Sequence, residues 1–174
     1  MQKLIFIKMK IGVIVAMDKE LQQLQHLFDN NHVIVEKCGI GKVNAAVGTV
    51  EMLNAFHPDI IISTGCAGGA GEGMEVTDVV VGTRYTYHDV YCGPEVSYGQ
   101  FVGLPALFDA DERLLQKATT LDTTSKIHAG LMVSGDWFVD SREKMREILG
   151  NFPIISRIFS LESTNQSPVT VSPS

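Results

Sequence analysis

Residues Ile11-Gly12-Val13-Ile14-Val15-Ala16-Met17 form an apolar run without polar alternation. A strand with one wet face alternates apolar and polar side chains, so this run predicts a central parallel strand covered on both faces. Asp18 then opens a helix predicted over 18–28, continued by Leu21, Leu24 and Leu27. Glu20 falls in its first turn, at the carboxyl edge of the sheet, where open α/β sheets receive their ligands. A carboxylate mounted there suits an active-site base. It equally suits the positive end of the helix dipole, and this segment alone leaves both readings open.

The same alternation runs on through the chain. Strands are predicted at 33–37, 59–64, 78–86 and 127–133, and helices at 42–56, 111–121 and 141–149. Such alternation implies an α/β fold with a mixed, mostly parallel central sheet flanked by helices. With 174 residues, 45% of them hydrophobic, the chain can bury one good core, expected as a single domain over 9–153. Residues 153–162 could add one more strand. Ser163 to Ser174 is rich in Ser, Thr and Pro without apolar periodicity, so 154–174 is expected to be a divergent, disordered tail and the sheet to stop unfinished.

Charge and cysteine content narrow the partners. Twenty acidic against 14 basic residues give a net charge of -6, and no Lys/Arg cluster marks a face, which argues against nucleic acid and for a small molecule. Cys38, Cys66 and Cys92 are odd in number and lack CxxC spacing, so neither a disulfide frame nor a metal site is expected; a reducing cytoplasm fits. Leu4-Ile5-Phe6-Ile7 after Lys3 hints at a secretory signal, but Lys8 and Lys10 interrupt it too soon, and residues 1–8 read as an upstream extension. No stretch approaches the roughly 18 apolar residues of a membrane-spanning helix, so no membrane partner is expected.

The turns carry the chemistry. Strand 33–37 runs into Cys38-Gly39-Ile40-Gly41-Lys42, and strand 59–64 into Gly65-Cys66-Ala67-Gly68-Gly69. Glycines after a strand let the backbone approach a ligand and present its N–H groups. Neither turn is a nucleotide motif: Asn44 stands where the dinucleotide fingerprint wants Gly or Ala, and Glu36 where a P-loop wants its first Gly. Cys66 as a nucleophile lacks an assignable base among His26, His32, His57, His88 and His128, and a small buried Cys is the commoner role. Phe138, after the strand ending near Val133, could stack on a planar base or simply plug the core under a loop. The long Gly/Pro-punctuated loop 88–105 is of the kind that forms lids or interfaces.

Together, Ile11 to Glu20, Gly39-Ile40-Gly41-Lys42-Val43-Asn44-Ala45-Ala46, Ser63-Thr64-Gly65-Cys66-Ala67-Gly68-Gly69, Tyr98-Gly99-Gln100 through Pro105, and Val133-Ser134-Gly135-Asp136-Trp137-Phe138 occur in the order of a known family. The chain resembles the 5'-methylthioadenosine/S-adenosylhomocysteine nucleosidases of the purine nucleoside phosphorylase superfamily over residues 9 to about 153. The resemblance implies a nucleoside phosphorylase-like fold and hydrolysis of the bond between adenine and a 5'-thio-substituted ribose, as in methionine salvage, without a cofactor or metal. It implies that Glu20 activates the attacking water. Cys66, Ala67 and Gly68 would line the purine and ribose pocket together with Ala16; Phe138 would stack on the base, and the backbone of Val139 would read the adenine edge. Loop 88–105 resembles the segment that reaches a neighbouring subunit's pocket, so a homodimer is implied.

Three departures accompany the resemblance. The family's general acid is an Asp in a Ser-Asp pair after a later strand, and no such pair occurs in these 174 residues. Leu161-Glu162 is the nearest match to the family's Met-Glu pair that grips the ribose, but it is displaced by about one residue, and such a slip turns a strand's side chains to the opposite face. A hairpin's worth of residues is absent after Asn31. The chain is therefore expected to be an internally deleted and prematurely ended copy, incomplete at its C-terminal side. A catalytically inactive nucleoside-binding remnant is the alternative from another class. A nucleoside phosphorylase would want a phosphate-binding Arg in the first strand-to-helix turn, where Met17-Asp18-Lys19-Glu20 places carboxylates that repel phosphate.

Overall fold

A computed structural model describes residues 9–28, 31–71, 73–152 and 158–161. The chain forms two compact units, residues 1–64 and 65–174, a division that falls inside the segment expected as one domain.

The first unit holds β1 (Ile11–Val15), α1 (Asp18–Leu24), β2 (Val33–Lys37), α2 (Lys42–Phe56) and β3 (Ile60–Ser63). Its three strands lie parallel in the order β2-β1-β3. Ile11 pairs with both Val33 and Ile60, and Val13 with both Val35 and Ile62. The apolar run of β1 is thus explained: it is the central strand, and Val13, Ile14 and Val15 are buried. Parallel neighbours need crossovers, which α1 and α2 supply. The chain leaves β1 toward β2 on one side and returns to β3 on the other, so β1 marks a topological switch point. Helix α2 seats Met52, 1% exposed, against the strand; a Cβ at Gly12 would stand 3.0 Å from its Cγ and Sδ atoms.

The second unit holds β4 (Ala67–Gly69), β5 (Val79–Tyr87), β6 (Phe108–Asp109), α3 (Glu112–Thr119), β7 (Ile127–Ser134), α4 (Arg142–Asn151) and β8 (Ile158–Leu161). Its sheet runs in the order β4-β8-β7-β5-β6, with β5, β7 and β8 parallel and the edge strands β4 and β6 antiparallel. Side chains of β7 alternate between two cores. Met132 joins Ala67, Val80 and Met74 in one, while Leu131 and Val133 join Ile148 and Phe152 in the other. Val133 is fully buried and Ile148 nearly so, burial worth roughly 1.5–3 kcal/mol for each such side chain.

The mixed, mostly parallel strands flanked by helices match the expected fold class. The helix expected over 18–28 is shorter, its α-helical part ending at Leu24 before a turn. Strand β8 falls within the segment expected as a disordered tail and gives 153–162 its anticipated extra strand; the remainder of that tail lies outside the described residues. The short strands β4 and β6 were not expected from the sequence.

Candidate functional site

In the first unit the site begins where β1 ends. Glu20 is 7% exposed although it is ionisable, and its Oε2 accepts hydrogen bonds from the backbone N–H groups of Ala16 at 3.0 Å and Met17 at 2.9 Å. Met17 is the residue that caps α1, and its thioether is a poor acceptor, so the carboxylate three positions on satisfies the helix start by reaching back. Both readings of Glu20 left open by the sequence are therefore compatible: a helix-start carboxylate fixed in one orientation at the carboxyl edge of a parallel sheet. Beside it, Asp18 pairs with Lys37 at 2.7 Å on the surface. Past β2 and β3 the chain stays bonded to this edge, with Cys38 N–H donating to Val15 O and Thr64 N–H to Ile14 O. Gly41 starts α2 at φ 95°, a conformation open to glycine.

In the second unit Ala67 is buried in β4, between half-buried Cys66 and Gly68. Strand pairing sets Ala67 opposite Leu161 and Gly68 opposite Ser160, which brings the two sequence-distant candidates Ala67 and Leu161 into register. Glu162 lies outside the described residues.

At the end of β7, Phe138 and Val139 are half-buried, and Val139 packs against the core of Leu131, Val133, Ile148 and Phe152. Ser141 then caps α4, its Oγ accepting from Lys144 N–H at 3.2 Å. The Lys144 ammonium donates to Phe138 O at 3.2 Å, pairs with Asp140 at 2.8 Å and lies 5.5 Å from the centre of the Trp137 ring. That ammonium holds the Asp140 carboxyl below its ordinary range.

The sequence reading missed the residues that tie this segment to loop 88–105. His88, 1% exposed, meets the edge of Trp137 with ring centres 4.3 Å apart. Asp89 Oδ2 accepts from Asp136 N–H at 2.7 Å, and Tyr98 donates its hydroxyl to His88 O at 3.2 Å. Burial, and secondarily Glu147 and Asp89, raise the Tyr98 phenol. Gly99 turns at φ 86°, where an added Cβ would stand 2.5 Å from Tyr87 O. Lys144 also went unnoticed, although an Asp and a Lys four residues apart at a helix start are a readable signal. Among the described residues no group of three or more His, Cys, Asp or Glu could hold a metal ion, and no helix is long and apolar enough to cross a membrane.

The α/β architecture, with parallel strands in both units, defines the class to which the comparisons point. The family model of the phosphorylase superfamily matches residues 24–156. A 5'-methylthioadenosine/S-adenosylhomocysteine nucleosidase of Exiguobacterium is 36% identical over 86% of this chain and 74% of its own length. One from Desulfotalea psychrophila is 36% identical over 86% and 73%. The Neisseria meningitidis nucleosidase, solved with methylthio-immucillin-A, superposes with a TM-score of 0.79 at 34% identity, covering 87% of this chain and 76% of that one. The chain belongs to the 5'-methylthioadenosine/S-adenosylhomocysteine nucleosidase family of the phosphorylase superfamily.

Proposed function

We propose that this chain is an N-glycosyl hydrolase that releases adenine from 5'-methylthioadenosine or S-adenosylhomocysteine, with Glu20 as its base. The observation that carries the reading is the Glu20 carboxylate, buried at the end of β1 and oriented by the Ala16 and Met17 N–H groups. Breaking a ribosyl–adenine bond builds positive charge on the sugar. A fixed carboxylate stabilises that charge and takes a proton from the attacking water, while the leaving base is protonated by an acid. In this reading Ala16, Cys66, Ala67, Gly68 and Leu161-Glu162 contact the nucleoside, Phe138 stacks on adenine, and the Val139 backbone reads its edge.

The exposed apolar side chains of Tyr91, Phe101, Val102 and Leu104 support a homodimer through loop 88–105. The absence of a disulfide among Cys38, Cys66 and Cys92 supports a cytoplasmic setting, and the substrate class supports a place in methionine salvage.

The test is adenine release from methylthioadenosine by the wild-type chain and Glu20→Gln. Turnover that falls about 10²–10⁴-fold on substitution supports the hydrolase. Turnover unchanged by the substitution removes Glu20 from the chemistry. A second reading is a chain that holds the nucleoside without turnover. Thermal stabilisation by methylthioadenosine with no adenine released selects it.

A further inference from the structure

The segment 137–140 joins β7 to α4 and carries the two residues assigned to adenine. One side chain, Lys144, gathers this segment. Its ammonium has three N–H donors. It donates to the Phe138 carbonyl at 3.2 Å and pairs with Asp140 Oδ1 at 2.8 Å, while the Trp137 ring centre lies 5.5 Å away. An Asp–Lys pair at this spacing, half exposed, contributes little by itself. A backbone carbonyl and an aromatic face on the same ammonium exceed what a surface pair needs.

The carbonyl is the informative partner. Phe138 C=O and Val139 N–H belong to one planar trans peptide, so they point in opposite directions. Fixing the oxygen on Lys144 therefore fixes the heading of the Val139 N–H. The Val139 side chain, packed on the core, and the Ser141 cap of α4 hold the far side of that peptide.

We propose that Lys144 is a positioning residue for adenine: it orients the 138–139 peptide so that the Val139 backbone can read the base edge. The inference rests on the reading above, in which Phe138 and Val139 hold adenine. Lys144 itself touches no substrate in this account. Removing it frees the peptide to rotate, which weakens adenine and blurs its distinction from hypoxanthine, whose edge exchanges a donor for an acceptor.

The test measures adenine and hypoxanthine affinity by equilibrium dialysis for the wild-type chain, K144M, K144R, D140N and F138A. Trp137, the chain's single tryptophan, reports the segment by fluorescence. We expect K144M to raise the adenine Kd about tenfold, to narrow the adenine preference, and to shift Trp137 emission. K144R restores much of the affinity, and D140N, which loosens the ammonium, costs a few-fold. A role confined to helix stability would lower Tm without altering the adenine-to-hypoxanthine ratio. F138A weakened with K144M unchanged overturns the positioning role, and if K144M does not fold, an unchanged D140N does the same. Wild-type affinity that is absent, or indifferent to F138A, overturns the adenine reading itself.

Discussion

The helices of the first unit begin without a capping side chain, whereas those of the second begin with one. Met17 and Gly41 stand at the starts of α1 and α2; the Met17 thioether is only a weak acceptor and glycine has none. Asp111 accepts from the N–H groups of Arg113 and Leu114 at the start of α3, and Ser141 from that of Lys144 at the start of α4. At α1 the missing cap is replaced by Glu20, the proposed base. In the proposed reading, one carboxylate there carries both the local structure and the chemistry. In the second unit the proposed tasks are divided: Ser141 caps, while Lys144 would orient and Phe138 would present a ring. The first arrangement would tie catalysis to a rigid turn, and the second would leave the proposed binding segment adjustable without loss of its helix.

The largest effects should come from the cores that anchor these helices. Uncapped α2 depends on Met52 packed over Gly12, while capped α4 rests on Ile148; both side chains are 1% exposed. Met52→Ala and Ile148→Ala should each cost about 2–5 kcal/mol in urea unfolding. Met52→Ala should cost at least as much, although methionine is the more adaptable side chain. A cost well under 1 kcal/mol for Met52→Ala would break the contrast, because α2 would then be held by something other than its packing.

A smaller effect separates the two duties of Glu20. Glutamine keeps an acceptor for the Ala16 and Met17 N–H groups, so Glu20→Gln should lower turnover about 10²–10⁴-fold with stability nearly intact. Glu20→Ala should lose turnover and also about 1 kcal/mol, matching the loss expected for Ser141→Ala at α4. Equal stability of the Gln and Ala variants in urea titrations would show that Glu20 contributes nothing to the helix start.

The contrast also explains what could be read from the sequence. The Glu20 turn is local: an unbroken apolar strand, an acidic first turn and a bond spanning three or four residues all lie within one stretch of chain. Strand β2 and helix α2 follow equally local patterns, and their limits coincide with those expected. Strand β4 is Ala-Gly-Gly and β6 only Phe-Asp, too short for any periodicity. They are strands because β8 and β5 pair with them. The Asp89–Asp136 bond and the His88–Trp137 contact join residues nearly fifty positions apart, and nothing nearby in sequence announces them.

The last contrast concerns two polar pairs that differ in burial. Lys37 and Asp18 are 40% and 69% exposed, a surface pair of the kind worth about 0.2–1 kcal/mol. Asp78 and His128 are buried, with Asp78 Oδ2 2.7 Å from His128 Nε2 and 2.9 Å from Glu75 N–H. The Glu75 N–H first, and then the bond to His128, lower the Asp78 carboxyl below its ordinary value of 3.8. A carboxyl that binds its proton less readily when folded stabilises the fold above its unfolded pKa, and loses that contribution as pH falls through the folded value. The part of the stability gap between wild type and Asp78→Asn that comes from the carboxyl's own titration should therefore be full at about pH 5 and shrink below 3.8. Urea titrations at about pH 5 and about pH 2.5 would measure both limits. A gap of the same size at both would mean that the aspartate acts through shape rather than charge. The buried pair would then be packing, like Ile148, and the distinction from the surface pair would rest on burial alone.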